Sequence, residues 1–94
     1  MLDKMKEVHE MQKKAREIQK RLEALQVEQM EGGIKLRMNG LFKAQALQID
    51  PGYLAPDKKE KLETLLCKLF TETVGEVQKR SAEESQELFK GLSF

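Results

Sequence analysis

The chain has 94 residues, enough for one domain with a small hydrophobic core. Its 17 basic and 16 acidic side chains leave a formal net charge of +1, which argues against a polycation that wraps nucleic acid through bulk charge. A single cysteine excludes an internal disulfide framework and suits a reducing cytoplasm. No apolar run approaches the roughly 18 residues of a membrane span, and the N-terminus lacks the apolar core of a signal peptide, so we expect a soluble protein.

The first segment of the chain has the periodicity of a long, charged helix over about residues 2–25. Its apolar side chains alternate spacings of three and four, the a/d seam of a heptad pattern: Val8, Met11, Ala15, Ile18, Leu22 and Leu25. A helix of this length spans about 36 Å, whereas a compact chain of this size has a radius of gyration of about 12 Å. We therefore expect part of the helix to project beyond its own domain or to lie on a partner. The seam suits packing within the subunit as well as contact between subunits.

The same heptad grid predicts a basic flank on this helix. Its members lie at two heptad positions, with Lys6, Lys13 and Lys20 at one and Lys14 and Arg21 at the next. Glu10 and Glu17 are expected on the far side of the helix. Such a flank can track phosphates through lysine and arginine contacts. The alternative is a solvated face held by pairs such as Glu10 with Lys14 and Glu17 with Arg21.

The middle of the chain has the signals of a small antiparallel sheet. Strands are predicted over about residues 27–31, 34–39 and 42–49. In the second of these, Ile34, Leu36 and Met38 alternate with Lys35 and Arg37. This period of two is typical of a strand with one buried face.

Two pairs of residues predict the turns of this sheet. Gly32-Gly33 lets the chain turn between the first and second strands. Asn39-Gly40 is typical of a tight two-residue turn in which both residues adopt positive φ, and we place it between the second and third strands. On the third strand, Leu47 and Ile49 then have the parity to share the buried face.

The opposite face of the sheet combines small and polar side chains. Ala44, Ala46 and Gln48 have the parity to join Lys35 and Arg37 on that face. Small alanine side chains there indicate a second packed surface against another subunit, or simply small residues exposed to solvent.

A second long helix is predicted over about residues 57–89, after the helix start signal Pro56-Asp57. Its buried face comprises Leu62, Leu65, Leu66, Leu69, Phe70, Thr73, Val74 and Val77. Beyond Val77 the distal part is expected to leave the core, where Lys79 and Arg80 can meet a ligand or be solvated. Together the elements predict an α/β chain of the α+β type: one domain over residues 1–94, with two long helices flanking a small antiparallel sheet in two layers and α-β-β-β-α order.

The residues that could carry catalysis or hold a metal are isolated in this sequence. His9 is the only histidine, so a helical zinc site with two histidines is excluded. Cys67 has no neighbouring histidine to activate it, and Gly32-Gly33 lacks the Lys-Ser/Thr pair of a phosphate loop. We therefore predict no enzymatic activity, cofactor, metal or small-molecule substrate.

Short motifs spread over nearly the whole chain occur in a recognisable order. The long charged helix and the glycine-rich turn are followed by Asn39-Gly40, Ile49-Asp50-Pro51 and Leu54, and then by Leu62-Glu63-Thr64-Leu65-Leu66 and Phe70-Thr71-Glu72-Thr73. In this order and at these separations the chain resembles the YbaB/EbfC family of bacterial nucleoid-associated proteins.

The resemblance implies a homodimer that binds double-stranded DNA at the nucleoid, in the cytoplasm, through projecting helices. The residues expected to contact phosphates are the basic flank and the end of the second helix, namely Lys6, Lys13, Lys14, Lys20, Arg21, Lys79 and Arg80. An alternative is a structural module whose helices bind a protein partner without binding DNA. Membrane binding is not expected, because the apolar stripe of the first helix is needed for packing.

Overall fold

The computed structural model describes residues 2–90 of the chain, and the side chains of residues 4–88 and of Lys90. Helix α1 spans Leu2–Ala24 and is followed by strands β1 (Gln26–Glu31), β2 (Ile34–Asn39) and β3 (Ala44–Ile49). Two short 3-10 helices, Pro51–Leu54 and Pro56–Lys58, lead into helix α2, Lys59–Phe89. The predicted α+β class and the predicted order of elements are confirmed. No helix within residues 2–90 is both long and apolar enough to cross a membrane.

The three strands form an antiparallel sheet with β2 in the centre, and α2 packs on one face of it. The register pairs Val27 with Met38, and this pairing places alternate residues of the two strands on the same face. The buried core comprises Val27, Ile34, Leu36 and Met38 from the sheet and Leu69 and Val77 from α2. One layer of sheet and one layer of helix therefore share a thin core.

The turn between β1 and β2 is the tight one. Gly32 and Gly33 both adopt positive φ, at 53° and 87°, a conformation that costs glycine little. The segment after β3 holds this turn in place: the Tyr53 hydroxyl donates to the Gly32 carbonyl, and the Asp50 amide donates to the Gly33 carbonyl at 3.1 Å. The segment after β3 thus anchors the turn that leads into the central strand.

The prediction of a tight two-residue turn at Asn39-Gly40 is wrong. Neither residue has positive φ; the chain instead forms a longer loop in which Phe42 takes the left-handed conformation, with φ of 62°. The Asn39 side-chain oxygen accepts hydrogen bonds from the amides of Leu41 at 2.9 Å and Lys43 at 3.1 Å. Asparagine therefore organises the loop through its side chain and not through its backbone angle.

Gly40 is required for a different reason than turn geometry. Its amide donates to the Leu22 carbonyl at 2.8 Å, where the end of α1 crosses the hairpin. A Cβ atom at this position would lie 2.6 Å from that same oxygen. Close approach of two backbones, and not positive φ, therefore selects glycine here.

The pairing of β2 with β3 contains an irregularity that the sequence pattern did not reveal. Arg37 lies opposite Ala46, but the next residue, Met38, lies opposite Ala44, so Gln45 is an extra residue in β3. The alternation along β3 shifts at this point. The prediction that Ala44 shares a face with Ala46 is wrong as a result, and β3 begins at Ala44, later than predicted.

The described part of the chain is strongly elongated. It measures 68 × 16 × 15 Å, with a radius of gyration of 18.9 Å against about 12 Å for a compact chain of this length. Helices α1 and α2 leave the sheet side by side, and the Arg21 guanidinium of α1 meets the Glu84 carboxylate of α2 at 3.0 Å. Residues 4–13 of α1 are all exposed, so this end of the helix projects beyond its own core, as its length predicts.

Candidate nucleic-acid interface

The projecting part of α1 carries a row of three lysines, which we call the lysine row: Lys6, Lys13 and Lys20. All three are exposed, and their spacing of seven residues places them about 10 Å apart along the helix. None of the ion pairs formed within residues 4–88 involves them. Their ammonium groups therefore point into solvent along the side of α1 opposite its apolar seam.

Lys14 and Arg21 are placed differently from the lysine row. The Lys14 ammonium lies 3.5 Å from the Glu17 carboxylate, and the Arg21 guanidinium pairs with Glu84 of α2. The predicted pairs of Glu10 with Lys14 and Glu17 with Arg21 are replaced by these two. Both basic groups are thus partly neutralised by an acidic neighbour.

The expectation that Glu10 and Glu17 lie on the far side of α1 is wrong. A shallow surface groove of about 230 Å³ is lined by Glu10, Lys13, Lys14 and Glu17 together. Consecutive residues differ by about 100° around a helix, so a gap separates Lys13 from Lys14, and the two glutamates fall within it. The basic flank is therefore a lysine row bordered by a mixed strip of both charges.

Lys79 and Arg80 lie where α2 passes the start of the sheet. The Arg80 guanidinium donates to the Gln26 carbonyl at 3.3 Å, and the neighbouring Ser81 hydroxyl donates to the Gly40 carbonyl at 3.1 Å. Arg80 therefore helps to hold α2 against the junction of α1 and β1. Lys79 is exposed and forms no ion pair with the side chains that the structure describes.

The distal half of α2 packs against α1 and does not simply enter solvent. Ser81, Glu84, Ser85 and Leu88 are half-buried. The spacing from Val77 through Ser81, Glu84 and Leu88 continues the alternation of four and three found in the apolar part of the helix. Sequence reasoning missed this packing because small and polar residues replace apolar ones, although the spacing itself was a signal.

The face of the sheet opposite α2 is a second exposed surface, which we call the open sheet face. It carries Glu28, Met30, Lys35, Arg37, Ala46 and Gln48. Met30 is 67% exposed, and the Lys35 ammonium pairs with Glu28 at 2.9 Å. The Arg37 Nε is shielded from solvent, yet it has no hydrogen-bond partner within the described residues. A shielded donor without a partner is unfavourable.

Lys68, which lies outside these surfaces, links α2 to the sheet. The Lys68 ammonium of α2 donates to Glu31 at the end of β1 at 3.0 Å. This hydrogen bond, then the charges of Glu31 and Glu72, raise the pKa of Lys68 above its ordinary value. His9 and Cys67 are both exposed, and no group of three or more metal-binding side chains occurs in the part of the chain that the structure describes.

The chain forms an elongated α+β protein with a lysine row on a projecting helix. These features define a class of proteins that bind a partner through an exposed surface. Within that class, the chain belongs to the YbaB/EbfC DNA-binding family, whose model matches residues 1–92. The family predicted from the sequence motifs is thereby confirmed.

Curated relatives from several bacteria match most or nearly all of the chain. A nucleoid-associated protein of Bartonella tribocorum is 31% identical over 94 residues, which cover 98% of this chain and 88% of the relative. One from Afipia carboxidovorans is 31% identical over 94 residues, or 98% and 90% of the two chains. One from Polynucleobacter necessarius is 38% identical over 81 residues, or 84% and 74%.

Proposed function

We propose that this protein is a nucleoid-associated protein that binds double-stranded DNA as a homodimer, mainly through phosphates, at the nucleoid in the cytoplasm. Residues 1–94 form one domain in this proposal; Met1 and residues 91–94 lie outside the part that the structure describes. Family membership and the names of the relatives support DNA as the partner. The proposal requires no catalytic group, cofactor or small-molecule substrate.

The lysine row is the observation that carries the proposal. Lys6, Lys13 and Lys20 are exposed and unneutralised within the described residues, and they stand on a helix that projects from the core. Each lysine that neutralises a phosphate releases bound counterions, so binding depends on salt and not on base sequence. Lys79 extends the proposed surface, whereas Lys14, Arg21 and Arg80 would reach phosphates only by exchanging their present partners.

The homodimer is proposed to form through the open sheet face. An exposed methionine on this face and an arginine Nε without a partner both favour a covering surface. A thin core on the other face gives a further reason, because small domains commonly gain stability by association. Each dimer would then present two lysine rows.

A double charge reversal tests the role of the lysine row in DNA binding. Lys13→Glu together with Lys20→Glu is expected to weaken binding to every duplex and to lower the salt slope by up to about one unit for each phosphate that is no longer neutralised. Circular dichroism and dimer mass should stay unchanged, since both side chains lie opposite the seam. Fluorescence titration of unrelated duplexes at several salt concentrations measures these quantities.

Lys58→Glu is the matched control for net charge, because Lys58 is exposed in the short helix just before α2, away from the lysine row. Normal binding by the double variant, or an equal decrease in affinity per charge in the control, would refute the assignment. The alternative function, a module that binds a protein partner through the same helices, predicts no salt-dependent DNA binding at all, so the wild-type titration separates the two.

A further inference from the structure

The apolar seam of α1 is only half covered within the subunit. Its C-terminal part, Ile18 and Leu22, is half-buried beside α2. Toward the N-terminus, Val8 and Met11 of the seam are 55% and 52% exposed, and Met5 beside them is 73% exposed. We call these three residues the tip stripe. An uninterrupted row of three exposed apolar side chains on a projecting helix marks a contact surface.

The geometry of the helix pair explains why α2 does not reach the tip stripe. The two helices run antiparallel, and Arg21 pairs with Glu84. Helix α2 ends at Phe89, five residues or about 7.5 Å beyond Glu84. The same distance along α1 from Arg21 ends near Arg16. The tip stripe therefore lies past the end of this helix pair.

We propose that the tip stripe binds the tip stripe of a second copy of this chain, with the two helices antiparallel. Centred on the exposed residues, this register places Val8 of each copy against Met11 of the other, in two apolar layers. At the flanking heptad position, Glu7 of each copy then lies opposite Lys14 of the other. Two ion pairs form by symmetry.

Charge complementarity selects this arrangement over the other ways of pairing the same seam. In a parallel pair, Glu7 would face Gln12 and Lys14 would face Gln19, so no ion pair would form. In an antiparallel pair shifted by one heptad toward α2, Lys14 would face its own copy, and Glu7 would face Arg21, which already pairs with Glu84. The register centred on Val8 and Met11 alone combines the exposed apolar residues with opposite charges.

This interface extends the proposed function. Its consequence for DNA rests on the DNA binding proposed above. The lysine row lies on the side of α1 opposite the seam, so pairing of the tips leaves it exposed. Two interfaces on one chain, the open sheet face and the tip stripe, generate a tetramer or a longer chain of dimers. An assembly of this kind holds two DNA-binding units together and can bridge separate duplex segments.

A charge-exchange series measured without DNA tests the inference. The interface has only two apolar layers, so it belongs with weak interfaces, and we expect it to form at roughly 0.1 mM rather than at low micromolar concentration. Sedimentation equilibrium of the wild type should show the low-concentration species doubling in mass over this range. Glu7→Lys and Lys14→Glu should each weaken the doubling by about tenfold or more, because each places like charges opposite one another.

The double variant Glu7→Lys with Lys14→Glu restores opposite charges and should restore the doubling. Glu10→Lys carries the same change of charge away from the flanking position and is the matched control, expected to associate like the wild type. Circular dichroism on every variant checks that the helix persists. Failure of the double variant to recover association, or an equally weakened association in the control, would overturn the inference.

The outcome is separable from that of the proposed function. DNA affinity is not an observable in this series, so a protein that does not bind DNA would give the same result. If the open sheet face formed no dimer, the doubling would start from a monomer and would still follow the charges at residues 7 and 14. If the tips did not pair, the mass would stay constant up to roughly 0.1 mM whatever the DNA titration shows.

Discussion

At the scale of single residues, two positions of the same hairpin show that one amino-acid pair can serve two purposes at once. Asn39 binds loop amides with its side chain, and Gly40 makes room for the end of α1. A glycine after an asparagine is usually attributed to positive φ. Here the glycine instead marks the place where the helix, the sheet and Ser81 of α2 meet.

Substitution of Gly40 should therefore destabilise the fold even by a single methyl group. Gly40→Ala places a Cβ atom against the Leu22 carbonyl, and Gly40→Val adds further crowding; we expect the free energy of unfolding to fall by roughly 1–3 kcal/mol, more for valine. Urea unfolding followed by circular dichroism measures the change. An unchanged midpoint for both variants would mean that α1 does not cross the hairpin at this point.

Gly75→Ala is the control for replacing a glycine as such. Gly75 is exposed within α2, and a Cβ atom there would meet nothing within 4 Å. Alanine in an exposed helix interior is more favourable than glycine by roughly 0.5–1 kcal/mol. The same methyl group should thus stabilise the protein at residue 75 and destabilise it at residue 40.

At the scale of elements, hydrophobic periodicity predicted the central strand and the second helix. It predicted neither the loop after β2 nor the extra residue in β3. Alternation over Ile34 to Met38 identified the central strand, and apolar spacing identified the buried face of α2, except that Phe70 is 40% exposed. The turn geometry after β2 was mispredicted because it depends on where α1 crosses, which is an interaction between segments distant in sequence. The shift at Gln45 was equally invisible, since a strand pattern carries no mark of an extra residue.

In the candidate site, too, features set by local spacing could be predicted, whereas contacts between residues distant in sequence could not. The lysine row follows from heptad spacing and could be read from the sequence. The partners of Arg21 and Arg80 could not, because Glu84 and Gln26 lie 63 and 54 residues away along the chain. The position of Glu10 and Glu17 between Lys13 and Lys14 follows from the step of about 100° between consecutive helical residues, since residues at consecutive heptad positions are not neighbours on the helix surface.

The link between β1 and α2 gives a prediction for alkaline pH. The pKa of Lys68 is raised in the folded state, first by its hydrogen bond to Glu31, so the folded protein holds this proton more tightly than the unfolded chain. This contribution to stability is complete below the ordinary lysine pKa of about 10.4 and is lost as pH rises through the raised value.

Lys68→Met removes the titrating group. As pH rises above the ordinary lysine pKa of about 10.4, the stability of the wild type should fall toward that of the variant, whereas their difference should be constant around neutrality. Urea unfolding at a series of pH values measures both curves. A constant difference throughout the alkaline range would contradict a raised pKa.

At the scale of the whole molecule, the chain forms a thin core from which two long helices project. Buried apolar residues occupy one side of the sheet only, and the two helices extend away from it. The open sheet face has no covering layer, and a homodimer formed through this face would supply one.

A pair of surface substitutions tests the dimer. The wild type is expected to sediment at low micromolar concentration with twice its chain mass of 10.9 kDa. Met30→Glu adds a charge to the open sheet face and should give monomers, since a charge that loses its water at an interface without a new partner is costly. Leu54→Glu introduces the same charge at a residue that is 77% exposed elsewhere, and it should remain dimeric. Equal masses for the two variants would exclude this face as the interface.

The described part of the chain is 68 Å long and only 16 × 15 Å across, and this shape also governs how the molecule moves through solvent. A rod meets more frictional drag than a sphere of equal mass, so the subunit diffuses and tumbles more slowly than its 10.9 kDa would suggest. On a gel-filtration column a monomer would consequently elute early, in the range of a larger globular protein. Its rotational correlation time would likewise depend on direction, and amides along α1 would relax according to the slow end-over-end rotation of the long axis.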